Sequence, residues 1–298
     1  MPEASGSAIL TGKRISIVIP AYNEEEIIGQ VIARLKPVVA PYNDCEILVI
    51  DDGSSDGTAV AAEAAGAAVI RHPYNKGNGA AVKTGIRNAR GDIIVFMDGD
   101  GQHDPADIPR LLQHMDLYDM VIGARDRQSF STWERRLANH AFNLLASYIS
   151  GTRVPDLTSG FRVIRADLAR KFCHLLPNGF SYPSTMTIVL LKAGYSVRFE
   201  NIVVSKRVGT SKINVFNDGF RFLTIIFKIA TLFEPLKIFL PIGLAVLLPG
   251  AVLALYRLFI GRPWTLPIVI SVSVGMLIIV LGLISEQIAL LRTVQFDR

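Results

Sequence analysis

Apolar and polar positions along this chain change period repeatedly. Ile15-Ser16-Ile17-Val18-Ile19-Pro20 reads as a buried strand, and the polar run Ala21-Tyr22-Asn23-Glu24-Glu25-Glu26 breaks it before an amphipathic stretch from Ile27 to Leu35. The unit then repeats. Glu46 to Ile50 is a strand, Asp51-Asp52-Gly53-Ser54-Ser55-Asp56-Gly57 a loop, and Thr58 to Ala65 an Ala-rich helix. Ala68-Val69-Ile70 is a third short strand, followed by a loop through Lys76-Gly77-Asn78-Gly79 and a helix from Ala80 to Ala89. Ile93 to Met97 is a fourth strand, Leu111 to Ile122 another helix and strand ending at Arg125, and Trp133 to Ile149 a helix. A further apolar helix ends at Lys192. Alternation of strands and helices predicts a doubly wound, mostly parallel sheet, whose ligands bind beyond the carboxyl ends of the strands.

The pattern changes after residue 212. Asn214 to Phe233 places Phe216, Phe220, Leu223, Phe227 and Ala230 on one side with Arg221 and Lys228 elsewhere, as expected for a basic amphipathic helix lying in a membrane interface. Ile238 to Leu255 and Leu266 to Ser285 are uncharged, each near the roughly 20 residues that cross a bilayer. Pro241 and Pro249 are tolerable in such a span. Gly261 to Trp264 is long enough only for a tight turn, so the spans form a hairpin. The expected organisation is a disordered segment 1–13, a catalytic domain 14–212, an interfacial helix 213–235, a hairpin 236–292 with spans at about 238–259 and 266–288, and a cytosolic tail 293–298.

Composition agrees with the membrane reading. Half of the 298 residues are hydrophobic and only 19% are charged, and the mean hydropathy is +0.36, too apolar for an ordinary soluble protein. Lys and Arg number 31 against 26 Asp and Glu, a net charge of +5. That excess suits anionic lipid or phosphorylated substrates; no basic run or RNA-binding aromatic signature makes nucleic acid an expected partner. Cys45 and Cys173 lack metal-ligand or CxxC spacing and read as reduced thiols. Met1 to Lys13 has no apolar core of the kind a secretory signal needs, so the catalytic domain is expected in the cytosol. The basic residues Arg221, Lys228, Lys237, Arg292 and Arg298 on the near side, against Arg257 and Arg262 at the far turn, place the same side inside.

The candidate chemistry lies at the strand ends. Asp98 and Asp100 share a face as i and i+2 and could hold one hard cation, with Gln102 two residues on; the same Asp-x-Asp could equally close a strand. Tyr22 and Glu24 follow the first strand and Asp51 and Asp52 the second, so three acidic groups meet at one crevice. Gathered carboxylates repel unless a cation or donors neutralise them, which favours a metal with a hydroxyl-rich ligand. Neither Gly-x-Gly-x-x-Gly nor a P-loop occurs, and Lys76-Gly77-Asn78-Gly79 only weakly suggests a phosphate cradle.

Pro20 to Glu25, Asp51 to Gly57, Lys76 to Gly79 and Asp98 to His103, in this order, resemble the motifs of glycosyltransferase family 2 enzymes of the GT-A fold. Within that family the chain is similar to polyprenyl-phosphate glycosyltransferases of the dolichol-phosphate mannose synthase type. The resemblance implies inverting transfer of one sugar from a UDP- or GDP-hexose to a polyprenyl phosphate, dependent on Mg2+ or Mn2+. It implies that Pro20, Ala21, Tyr22, Glu24, Asp51, Asp52, Lys76, Gly77, Gly99, Arg207 and Lys212 contact the donor nucleotide, and that Asp98, Asp100 and Gln102 hold the metal. Arg125, Arg135, Asn139 and Ser159 would meet the acceptor phosphate, and Asp100, Arg125 and Asp156 would be catalytic. Asp156 lies in Asp156-Leu157-Thr158-Ser159-Gly160-Phe161, matching the family's Asp-x-x-Ser-Gly-Phe. A phosphate nucleophile has little proton to lose, so Asp156 is expected to orient rather than to act as a base. Many relatives carry an acid where Thr185 or Thr187 stands, which leaves the sugar open. A processive polysaccharide synthase would need more spans and a Gln-x-x-Arg-Trp motif; an inactive binding partner would not need the acidic loops. A small two-span hairpin leaves homo-oligomerisation open.

Overall fold

The computed structural model describes residues 12–42, 44–125, 133–179, 181–204, 227, 231 and 234–296, with backbone alone for 133–138 and 292–296. Residues 1–11 of the expected disordered segment, the donor residues Arg207 and Lys212, and nearly all of the expected interfacial helix lie outside these residues, as does the side chain of Arg135. The chain divides into two compact units, Met1–Gly219 and Phe220–Arg298.

In the first unit the alternating segments form β1 (Ile15–Ala21), α1 (Glu25–Val39), β2 (Cys45–Asp51), α2 (Thr58–Ala64), β3 (Ala68–Arg71), α3 (Asn78–Asn88) and β4 (Ile93–Phe96). They continue as α4 (Ile108–Leu112), β5 (Met120–Arg125), α5 (Trp133–Ser150), β6 (Arg162–Arg165), α6 (Ala166–Phe172), α7 (Tyr182–Lys192) and β7 (Val197–Ile202). Seven strands make one sheet in the order β3-β2-β1-β4-β6-β5-β7. Every residue of β1 is buried, the expected result for a central parallel strand covered on both faces. The stripe Ile28, Val31, Ile32, Leu35 of α1 recurs at helical spacing and packs into the core with Ile17, Val49, Val95 and Phe161.

The sheet departs from the expected alternation at β6, which pairs antiparallel with both β4 and β5. Its four residues begin and end in arginine, so no apolar run announces it. Arg162 is nevertheless fully buried, its two terminal nitrogens donating to oxygens of neighbouring segments while Nε stays without a partner. The insertion brings the segment 156–160 back to the carboxyl edge between β4 and β5.

The second unit contains two helices long and apolar enough to cross a membrane, Leu236–Phe259 and Leu266–Leu291, the latter continuing as helix to Phe296 into the segment expected as a tail. Glycines set their close approach. A methyl on Gly275 would come within 2.7 Å of the Leu247 backbone, and one on Gly243 within 2.5 Å of Ile279. Ser271 donates to the Val246 carbonyl at 2.5 Å, and the Glu286 carboxylate accepts from Leu236 N at 3.1 Å, capping the first helix from the second.

Candidate active site

The carboxyl ends of β1 and β2 are joined by side chains that satisfy one another. Asp52 N donates to the Ala21 carbonyl at 2.9 Å. Asp51, fully buried, accepts from Ser54 N at 2.8 Å through one oxygen, and its other oxygen lies 3.1 Å from Arg71 Nε as an ion pair without hydrogen-bond alignment. Asp52 gathers more partners: Lys76 N at 3.0 Å, Gly77 N at 2.8 Å and His72 Nδ1 at 2.7 Å, while His72 Nε2 meets Thr84 Oγ1 at 2.9 Å. Asp52 therefore shapes the Lys76–Gly79 loop from beneath. Two further amides of this stretch are also taken, since Gly79 N and Ala80 N donate to the carbonyls of Gly179 and Asn178. The loop is thus closed on protein groups rather than open as a backbone anion cradle.

A glycine makes this approach feasible. Gly53 has φ +73°, and a methyl there would stand 2.4 Å from the Tyr74 carbonyl carbon. A methyl on Gly99 would meet the Pro20 carbonyl only at 3.4 Å, an ordinary contact, so the close approach depends on Gly53 and not on Gly99. Tyr22 is 47% exposed and offers an open aromatic face beside this edge. An open cavity of about 410 Å³ is lined by Gly53, Ser54, Arg71, His72 and Pro73, within the roughly 300–1,000 Å³ range of small-ligand sites.

At the end of β4 the Asp98 side chain is one-third exposed (34%) and its Oδ2 lies 3.3 Å from His103 Nε2. His103 is buried and stacked on Phe161 at 5.0 Å. Gly160 backs the carboxylate so closely that a methyl there would fall 2.6 Å from Asp98 Oδ2. Burial alone would raise the Asp98 carboxyl; the hydrogen bond with His103 and the fields of Arg125 and Arg162 outweigh it and hold Asp98 below the usual carboxylate range. Asp100 is buried and accepts Gln102 N at 3.1 Å.

Arg125 closes β5 and is locked to Asp156. Its Nε and a terminal nitrogen donate to the two carboxylate oxygens at 2.8 and 3.0 Å, its own N–H adds a third bond at 3.1 Å, and Thr158 Oγ1 accepts as well. Burial opposes both charges, yet the pairing lowers the Asp156 pKa and raises that of Arg125. Asn143 fastens the same loop to α5, accepting Leu157 N at 3.0 Å and donating to the Pro155 carbonyl at 2.5 Å. Ser159 is buried and donates to the Gly123 carbonyl at 2.6 Å. Asn139 lies half-buried on α5. Thr185 and Thr187 both turn back onto their own helix, accepted by the carbonyls of Ser181 and Pro183 at 3.1 and 2.9 Å.

His72, His103, Asn143 and Arg162 were not singled out from sequence. His72, Asn143 and Arg162 act through partners 12 or more positions away in the chain, whereas His103 meets Asp98 within its own motif and is fixed by stacking on the distant Phe161.

The donor set suits a hard divalent ion. Asp98 is ionised and half-turned to solvent, and Asp100 and the Gln102 amide add oxygens. Among the described residues no three His, Cys, Asp or Glu side chains form a closed metal cage.

Comparison with known proteins follows the same lines. The profile for glycosyl transferase family 2 matches residues 16–173, and that for a GtrB C-terminal hairpin matches residues 234–291. An undecaprenyl-phosphate 4-deoxy-4-formamido-L-arabinose transferase of Pectobacterium carotovorum is 28% identical over 94% of this chain and 90% of its own length. A dodecaprenyl-phosphate galacturonate synthase of Rhizobium johnstonii is 30% identical over 53% of this chain and 49% of its own. Among solved structures, glucosyl-3-phosphoglycerate synthase from Mycobacterium tuberculosis in complex with Mn2+ and UDP-glucose superposes with a TM-score of 0.62 at 25% identity, covering 78% of this chain and 84% of that one.

Proposed function

From the premise that this chain belongs to glycosyltransferase family 2 and carries a GtrB C-terminal hairpin, we propose that it transfers one sugar from a nucleotide-diphosphate sugar to a polyprenyl phosphate, with inversion. The observation that carries the reading is the coexistence, in one chain, of the Asp98–Asp100–Gln102 edge beside a clamped Arg125 with a pair of membrane-length helices. Relatives named for undecaprenyl and dodecaprenyl phosphate supply the acceptor class.

Asp98, Asp100 and Gln102 would hold Mg2+ or Mn2+, which when bound would supply positive charge against the leaving diphosphate. Pro20, Ala21, Tyr22, Glu24 and the cavity beside Arg71 receive the nucleoside, with Asp51 and Asp52 holding the walls and the Lys76–Gly77 loop in shape. Arg125, kept rigid by Asp156, presents its remaining surface to the acceptor phosphate, joined by Arg135 and Asn139 from α5. One phosphate oxygen attacks the anomeric carbon as the bond to the donor diphosphate breaks on the opposite face, which inverts the configuration. The nucleophile is already an anion, so Asp156 is a positioning residue and no general base is required. Arg207 and Lys212, which lie outside the described residues, are assigned to the donor nucleotide on the family resemblance alone.

The hairpin holds this chemistry beside a lipid acceptor and raises its local concentration. The chain is a two-span membrane protein with the transferase unit in the cytosol, where nucleotide sugars reside.

The test incubates the purified full chain with undecaprenyl phosphate and a panel of UDP- and GDP-sugars in Mg2+ or Mn2+. A lipid-linked monosaccharide is expected with at least one donor, and loss of product in EDTA and in Asp98→Ala. Undiminished transfer without divalent metal would sink the metal assignment; sugar transfer only to water-soluble acceptors would sink the lipid one.

A further inference from the structure

Arg162 exposes none of its surface. It stands on β6 opposite Phe96 of β4 and Ile122 of β5. Its guanidinium donates to the Pro183 carbonyl at 2.9 Å, to Thr187 Oγ1 at 3.2 Å and to the Ser159 carbonyl, and it lies 5.8 Å over the Tyr182 ring. The Nε has no partner. Each of these acceptors is neutral, and among the described residues no carboxylate forms an ion pair with it. Burying a cation without an acid is costly, so the charge calls for a use.

Its field falls on the acidic edge of the sheet. Asp98 and Asp156 are the carboxylates that feel Arg162, and Asp156 is already matched by Arg125. Arg162 therefore acts, beside Arg125 and His103, on Asp98 of the metal-facing pair, which follows two residues after Phe96, the partner of Arg162 on β4. A divalent ion arriving alone is drawn by two carboxylates and repelled by a buried guanidinium at low dielectric. A diphosphate is attracted by that same guanidinium.

We infer that Arg162 makes metal retention conditional on the donor diphosphate: the chain holds the ion weakly by itself, tightly with the diphosphate, and releases both together after transfer. Arg162 acts here as a fixed charge that touches neither ion nor substrate. The inference rests on the donor–metal reading of Asp98 and Asp100 given above.

Thr187 gives a near-isosteric way to cancel the charge. Thr187→Asp supplies the guanidinium with an acid, and Thr187→Asn is the neutral control of matching size. Mn2+ alone is titrated into the purified full chain by electron paramagnetic resonance, and inorganic pyrophosphate is then titrated at saturating Mn2+. Thr187→Asp is expected to bind Mn2+ about 10-fold more tightly than wild type, and pyrophosphate more weakly by a similar factor, with Thr187→Asn within about 2-fold of wild type on both. Arg162→Met removes the charge directly, should give the same opposed shifts, and decides the matter if Thr187→Asp does not fold. A packing role alone would instead misplace Asp98 in Arg162→Met and weaken Mn2+ binding. Unchanged Mn2+ affinity in the charge-cancelled variants overturns this inference and leaves the metal site standing. A wild-type chain that binds no Mn2+ overturns both.

Discussion

Asp156 and Arg125 should behave as one thermodynamic unit. Asp156 is 4% exposed and Arg125 24%, and two parallel N–H to carboxylate bonds join them at 2.8 and 3.0 Å. Breaking such a pair from one side leaves a buried charge, at about 3–5 kcal/mol. Asp156→Asn retains one oxygen, which can accept either Arg125 N, now on Oδ2, or Thr158 N, now on Oδ1, and the partial exposure of Arg125 softens its isolation, so about 3 kcal/mol is expected. In a domain of about 200 residues that lowers the melting temperature by roughly 6–12 °C. Arg125→Met should cost a similar amount, and the double variant little more than either single one, a coupling of about 2–3 kcal/mol. Circular dichroism melts of the detergent-solubilised full chain provide the cycle.

The pH dependence fixes the sign. The folded-state pKa of Asp156 is depressed, so its contribution is complete above the unfolded value of about 3.9 and disappears as pH falls through the lower folded value. The stability gap between wild type and Asp156→Asn should be flat from about pH 8 to pH 5 and narrow only below about pH 4. Additive losses in the double variant, or a gap that closes near neutrality, would refute the clamp and reopen Asp156 as a proton acceptor.

Three further outcomes follow from packing. Asp52→Asn turns an amide N–H₂ or a single oxygen toward three donors, so amide hydrogen exchange at Lys76 and Gly77 should speed up by at least about 10-fold, while unchanged protection would show that the loop holds itself. Gly160→Ala pushes a methyl onto Asp98 Oδ2, so Mn2+ affinity should fall about 10-fold with the fold intact by circular dichroism; wild-type affinity would mean that Asp98 does not hold the ion. Gly275→Ala forces the hairpin helices apart at Leu247, with an expected loss of about 1–3 kcal/mol in the melting of the second unit, read from Trp264 fluorescence; an unchanged transition would contradict the close approach.

What the sequence determined by itself was whatever is written in local period and residue chemistry. Strand-turn-helix alternation through β4, the two apolar spans, the acids at the strand ends and the family motifs all depend on neighbours a few positions apart, where hydrophobic period and turn chemistry act directly. Tertiary structure alone decided the rest. β6 carries no apolar run, and it joins the sheet because Arg162 finds its acceptors in segments remote in the chain. The acids at the edge look alike in sequence, yet Asp51 and Asp52 serve loops, Asp156 serves Arg125, and Asp98 remains turned to solvent. The difference lies in which donors the fold brings within hydrogen-bonding distance, and for Asp52 and Asp156 the partners His72, Gly77 and Arg125 lie 20 or more positions away.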